Sequence, residues 1–218
     1  MQKTMLVSGV LSEMGAATAR VFRQNGYYVF GVDRTDDYQY NCDRFLQFDL
    51  HKFCTEAEYR IRFAEIFDGL IPRLDVLILC APRTKMPALR DLKLENWHKV
   101  QNYTTTGPML LSKFFLSRLE EQRGNILFLN NTHDHQTERE HIGYQLITGT
   151  FGGLGRALAA DLNGSVEVNV IHPKRLKREG FAGNKKQPGR DYADEVARLA
   201  LFACSPAAGS LTGLDLRL

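Results

Sequence analysis

The stretch that most limits what this chain can fold into is Leu6 to Ala19. There an apolar run (Met5, Leu6, Val7) passes through Ser8-Gly9-Val10-Leu11-Ser12-Glu13-Met14-Gly15 into an alanine-rich segment. A strand, a glycine turn and a helix start in that order open a βαβ unit. The free N–H groups and positive dipole end of such a helix favour an anion, such as the pyrophosphate of a dinucleotide. The turn is altered in one respect, since Glu13 puts a carboxylate where a glycine is wanted.

Ala16 to Gln24 reads as the helix, Asn25-Gly26 as its stop, and Tyr27 to Val32 as a second strand ending at Asp33. Asp33 lies 24 positions after Gly9, close to the ~20-residue spacing at which a carboxylate can accept both hydroxyls of an adenosine ribose. Its charge would oppose a 2′-phosphate, so the expected cofactor is NAD(H) rather than NADP(H). Further along, Phe45 to Leu50 reads as a third strand, Glu56 to Leu70 as an amphipathic helix, and Leu74 to Cys80 as a buried fourth strand. Leu94 to Leu119 reads as a long helix interrupted at Gly107-Pro108. Asn125 to Leu129 is a fifth strand, Tyr144 to Leu162 a second long helix, Val166 to Ile171 a sixth strand, Glu195 to Cys204 a last helix, and Leu214 to Leu218 a last strand. Strands alternating with helices predict an α/β fold: a single Rossmann-fold domain, a doubly wound parallel sheet of about seven strands with helices on both faces.

The 218 residues, 44% of them hydrophobic, suffice for a continuous core without staples, which predicts one domain over 1–218. No apolar run approaches the ~18 residues needed to cross a membrane. Cys42, Cys54, Cys80 and Cys204 form no C-x-x-C pair. They are expected as reduced thiols in the cytoplasm, without a metal. A net charge of +3 is too small to imply nucleic acid. Lys174, Arg175, Lys177, Arg178, Lys185, Lys186 and Arg190 crowd one segment, expected as a solvated loop, the alternative being a docking patch for an acidic partner or ligand.

The ordered motifs resemble the short-chain dehydrogenase/reductase family over nearly the whole chain. Ser8-Gly9-x-x-x-Glu13-Met14-Gly15 resembles the family's Thr-Gly-x-x-x-Gly-x-Gly, and Asp49-Leu50 the pair that touches adenine. Leu79-Cys80-Ala81-Pro82 stands in the place of Asn-Asn-Ala-Gly. Asn102 matches the helix asparagine of the family's proton relay, and Val168 to Lys174 resembles Val-Asn-x-Val-x-Pro-Gly. By the resemblance, the cofactor-binding set is Ser8, Gly9, Ser12, Glu13, Met14, Gly15, Asp33, Arg34, Asp49, Leu50, Cys80 and Ala81. The family's catalytic serine lies thirteen residues before a tyrosine, and a lysine lies four after it. Those positions are held here by Asn131, Tyr144 and Thr148, which with Asn102 make the expected catalytic group.

The tyrosine is kept while the serine has become asparagine and the lysine threonine. A phenol with a pKa of about 10 and no cationic neighbour is ionised in only about one molecule in a thousand at pH 7. Alcohol oxidation should suffer most. Carbonyl reduction uses the neutral phenol as acid, and Asn131 can still donate to a carbonyl oxygen. Glu13 adds a second deficit: a charge ~4 Å from a phosphate oxygen costs up to ~4 kcal/mol at an effective dielectric near 20. Alternatively its carboxylate swings into solvent, or fills the anion site itself. His133, Asp134, His135 and His141 are expected as a solvated loop, the alternative being a replacement acid, base or metal site. Lys174 is expected as surface charge, Trp97 and Tyr103 as packing residues.

Glu13, Pro82, Asn131 and Thr148 depart together, which points to a protein that has lost efficient hydride transfer. Such a chain would be a non-catalytic or accessory subunit of a homo-oligomer, or of a hetero-oligomer with an active relative, with NAD(H) bound weakly or not at all. The alternative is an NAD(H)-dependent carbonyl reductase acting on a small carbonyl or alcohol, with Tyr144 as acid. A third reading is a non-redox enzyme using the segment from His133 to His141. Neither nucleic acid nor membrane is expected as a partner.

Overall fold

The computed structural model describes residues 2–36, 41–81, 88–130, 142–173 and 188–218, with side chains left undescribed at 142–148 and 188–191. Asn131, Pro82, Lys174, the histidines from His133 to His141 and most of the basic segment lie outside the described residues. Seven parallel strands are β1 (Thr4–Ser8), β2 (Tyr28–Asp33), β3 (Arg44–Gln47), β4 (Val76–Cys80), β5 (Asn125–Leu129), β6 (Glu167–His172) and β7 (Asp215–Arg217). They stand in the order 3-2-1-4-5-6-7. The order reverses between β1 and β4, and there the C-terminal strand ends open a crevice.

Alternation of side chains along each strand feeds two separate cores. Leu6 of β1, Leu77 and Leu79 of β4, Ile126 and Phe128 of β5, and Val168 and Val170 of β6 face one side. Met5 and Val7, Val76 and Ile78, Leu127 and Leu129, and Ile171 face the other. Both faces are covered by helices, so both need apolar residues, and the unbroken apolar strands follow. The second face is closed by α1 (Glu13–Gln24) and α7 (Pro188–Ala203), through Ala17, Val21, Phe22, Val196 and Ala200. Arg20 and Asp194 join these two helices as an ion pair. The first face is filled by α2 (Leu50–Thr55), α3 (Ala57–Leu70), α5 (Gly107–Gln122) and α6 (Ile142–Leu162). Aromatic rings bind that layer: Phe48 lies 5.0 Å from Phe63, and Phe67 5.4 Å from Phe115.

Among the boundaries that differ from the sequence reading, three have a plain local physical reason. The third strand ends at Gln47, because the Asp49 carboxylate accepts the N–H groups of His51 (2.9 Å) and Lys52 (3.2 Å) and so starts α2 at Leu50. The last helix begins at Pro188, where proline's missing N–H costs nothing. The long helix is not interrupted at Gly107-Pro108. Instead α4 (Leu94–Gln101) runs into a π-helical segment, Asn102–Thr106, closed by Gly107 N–H donating to Asn102 O. Pro108, with no N–H to offer, opens α5.

At Gly107 a Cβ would lie 2.5 Å from Leu50 Cγ and 2.6 Å from Asn102 O. Gly107→Ala should therefore lower the unfolding free energy by about 1–3 kcal/mol, the usual cost of overpacking a fitted contact. Urea denaturation reads it directly, and an unchanged midpoint would show that α2 yields without strain.

Candidate functional site

The glycine turn is held to the second strand by main-chain bonds. Gly9 and Val10 N–H donate to Val32 O (2.9 and 3.3 Å), and Leu11 N–H donates to Asp33 Oδ2 (3.0 Å). Gly9 has φ +82°, a conformation that side chains avoid, and a Cβ there would stand 3.1 Å from Cys80 Cβ. A Cβ on Gly15 would meet Gly9 O at 2.2 Å. Ser12 caps α1 by accepting Gly15 N–H (3.0 Å) while its hydroxyl donates to Gly9 O (2.8 Å). No described residue accepts the N–H groups of Glu13 and Met14, which are left for an anion at the positive end of the helix.

Glu13 is exposed and takes none of its helix's N–H groups. It therefore does not fill the anion site itself, and in water its repulsion of a phosphate is screened well below the close-contact limit. Met14 sends its side chain into the core, so only its main chain faces the turn. Ser8 is buried at the end of β1.

Asp33 closes β2 with Oδ1 accepting Arg34 N–H at 2.7 Å and Oδ2 accepting Leu11 N–H. Each carboxylate oxygen keeps a second acceptor direction, enough for the two hydroxyls of a ribose. Arg34 is exposed, and its carbonyl accepts Gln47 Nε2 at 3.0 Å. Asp49 is spent partly on structure, since its Oδ1 caps α2 and its N–H donates to the Tyr59 hydroxyl at 2.7 Å. Leu50 packs into the first core. The Tyr103 hydroxyl reaches toward Asp49 Oδ1 (3.5 Å), which brings a ring expected only as packing to the edge of the site. Burial pushes that phenol up from its ordinary pKa, helped by the nearby Asp49 charge.

Cys80, at the end of β4, lies beneath the turn beside Ser12. Burial pushes its thiol up to about 12 against the lowering effect of the Ser12 hydrogen bond, so the sulfur is a protonated wall and no nucleophile. Ala81 is buried, its N–H bonded to Leu129 O at 2.9 Å. None of the four cysteines is in a disulfide.

The expected catalytic residues are placed unevenly. Tyr144 and Thr148 lie one turn apart on α6, which packs on the π segment. Their side chains, like Asn131, fall outside the description. Asn102 meets α2 with its side-chain amide, Nδ2 lying 3.1 Å from His51 Nδ1. Its carbonyl accepts Gly107 N–H and the Cys54 thiol, 3.7 Å away, so both lone pairs are engaged. His51, Glu95 and His98 line a polar cleft of about 510 Å³ between α2 and α4. Among the described residues no group of three or more His, Cys, Asp or Glu is placed to hold a metal. No described helix is long and apolar enough to cross a membrane.

A parallel sheet with this strand order, a main-chain anion cradle at the reversal and an acid ending β2 define a dinucleotide-type Rossmann fold. The family described as Enoyl-(Acyl carrier protein) reductase matches residues 9–218, and the chain belongs to the short-chain dehydrogenase/reductase family. It is 27% identical to the D-threitol dehydrogenase of Mycolicibacterium smegmatis, over 98% of this chain and 90% of that protein. It is 25% identical to the NAD-dependent glycerol dehydrogenase of Listeria innocua, over 98% and 91%. The crystal structure of an acetoin dehydrogenase from Salmonella typhimurium shares the fold with a TM-score of 0.81 at 21% identity, covering 100% of this chain and 94% of that one.

Ser12→Ala removes both the cap on Gly15 N–H and the bond to Gly9 O. It should destabilise the protein by about 0.5–2 kcal/mol, measurable by thermal or urea unfolding. Parent-like stability would mean that water caps α1 equally well.

Proposed function

We propose that this chain binds NAD(H) at the β1–β4 crevice but has an impaired hydride-transfer centre, and serves in the cytoplasm as an accessory subunit of an oligomer, with itself or with an active relative. One observation carries this reading: a well-formed anion cradle at Gly9 to Gly15 is joined to a helix in which Thr148, not a cation, stands one turn after Tyr144. The N–H groups of Glu13 and Met14 would meet the pyrophosphate and Asp33 the adenosine ribose, with Asp49 and Tyr103 at the adenine end. Bound NAD(H) would supply the hydride. A threonine hydroxyl can still bond a ribose, but it carries no charge to lower the phenol's pKa. Loss of matched acid–base assistance costs roughly 10²–10⁴ in rate.

A second reading has a specific support, since two relatives spanning nearly the whole chain are named as dehydrogenases of small polyols. On that reading the chain is an NAD(H)-dependent oxidoreductase of a small alcohol or carbonyl, with Tyr144 as acid and Asn131 as donor.

Fluorescence titration with NADH, followed by turnover with small ketones and polyols, separates the two. Saturable NADH binding with turnover well below the ordinary ~1–10³ s⁻¹ is expected, and Asn131→Ser with Thr148→Lys should raise the rate. Ordinary turnover in the parent, lost in Tyr144→Phe, would establish the enzyme instead. Glu13→Gly should raise NADH affinity by no more than about fivefold, the scale of a screened surface charge.

A further inference from the structure

Polar side chains from β6, β7 and α6 meet that of Asn130 immediately beyond the end of β5. His172 closes β6 and is 7% exposed, and Asn130, which follows β5, is 1% exposed. Asn130 Nδ2 lies 3.0 Å from His172 Nδ1. An amide nitrogen only donates, so the ring accepts at Nδ1 and carries its proton on Nε2. Nε2 stands 2.8 Å from Asp215 Oδ1 but out of line for a hydrogen bond. The other Asp215 oxygen accepts Arg156 Nη1 of α6 at 2.6 Å, and Arg217 Nε lies 4.0 Å from Oδ1. Among the described residues the charged groups acting on the imidazole are therefore Asp215 and Arg217 from β7 and Arg156 from α6, while the chain just after β5 contributes the neutral Asn130. The main chain is tied at the same place, with Asn130 N–H donating to Ile171 O (2.9 Å) and Leu218 N–H to His172 O (3.0 Å).

We propose that His172 is a positioning residue for the end of β5: its neutral ring accepts the Asn130 side-chain N–H and so orders Asn130, the neighbour of Asn131 in sequence, and a proton on the ring releases it. A second ring proton would sit on Nδ1, facing Asn130 donor against donor, so the amide must turn over or withdraw. At the same time the cation is drawn to Asp215, so the two protonation states favour different arrangements at the end of β5. The assignment of Asn131 to the substrate oxygen rests on the function proposed above. The coupling of His172 to Asn130 does not.

Burial pushes the His172 pKa below the ordinary histidine value; Asp215 pulls it back up, while Arg217 and Arg156 push it down. The ring is thus neutral at pH 7. As the pH falls past about 6.5 the unfolded chain takes up the proton first. Stability should decline from there until the folded protein also titrates.

Nitrogen NMR of labelled, ligand-free protein from about pH 8 to about pH 5, with NADH titrations over the same range, tests the coupling. Two variants accompany the parent. His172→Asn offers a non-titrating oxygen near the place of Nδ1, and His172→Leu offers no acceptor. The Asn130 side-chain amide and the Asn131 backbone amide should shift with the midpoint of the His172 ring. NADH affinity in the parent should fall by up to about tenfold across that step, the scale of one buried hydrogen bond. His172→Asn should flatten the dependence, and His172→Leu should be weak at every pH. Asparagine resonances that ignore the histidine midpoint, or a parent-like pH step in His172→Asn, would overturn the proposal. A protein that never binds NADH would refute the dinucleotide reading, and the resonances would still decide this one.

Discussion

The bond from Leu11 N–H to Asp33 Oδ2 is the interaction on which the geometry of the site depends. It fastens the loop after the first strand to the end of the second, while Gly9 and Val10 are tied to Val32 just beside it. With those three N–H groups committed, the loop cannot drift away from the sheet, and α1 starts where Ser12 can cap it. The helix N–H groups that remain free then point to one place. A single acid thus shapes the anion cradle and ends the strand beside which a ribose would lie. Its two tasks do not compete, because each oxygen accepts one main-chain N–H and keeps another direction open.

The layered fold was legible in the sequence because covered sheets demand apolar residues on both strand faces, and glycine, proline and Asn-Gly steps mark the ends. Gly9, Asp33 and the alternation of elements needed no more than that. The short helix α2 was not legible: Leu50 continues the alternation of Leu46 and Phe48 with Gln47 and Asp49, and an aspartate that caps a helix looks the same in sequence as one that meets an adenine. The π segment was hidden for a similar reason, since its polar residues fit an ordinary helix and the glycine-proline pair beside it is a louder signal. Tyr103, His51 and His172 acquire their partners only through tertiary contact, and no spacing along the chain announces such pairs. Asn130 next to Asn131 was the one local hint, two amides in succession where β5 stops.

Glu13 shows how an altered motif position can be milder than its sequence context implies. The same charge that would repel a phosphate at contact stands in water, where its field is screened, and in the first turn of α1 it also suits the helix dipole. Thr148 is a different kind of change. On the function proposed above, it leaves the Tyr144 phenol without the cationic neighbour that would lower its pKa. Binding and chemistry rest on different parts of such a fold: the cradle is built from main chain and tolerates side-chain drift, whereas proton transfer depends on a few titratable groups.

The π segment has a bearing on how this chain can change length. An α turn takes about 3.6 residues and a π turn roughly one more, closed by i→i+5 bonds, so the extra residue between Asn102 and Gly107 is taken up in the wider turn and leaves α4 and α5 in nearly the phase of one continuous helix. Deleting one residue there would restore a plain helix with Trp97 and Val100 still on their present faces and α5 still in the core. Any further change of length would turn α4 by about 100° per residue and exchange a buried face for a solvated one. The five residues from Asn102 to Thr106 thus hold one residue of slack between two helices.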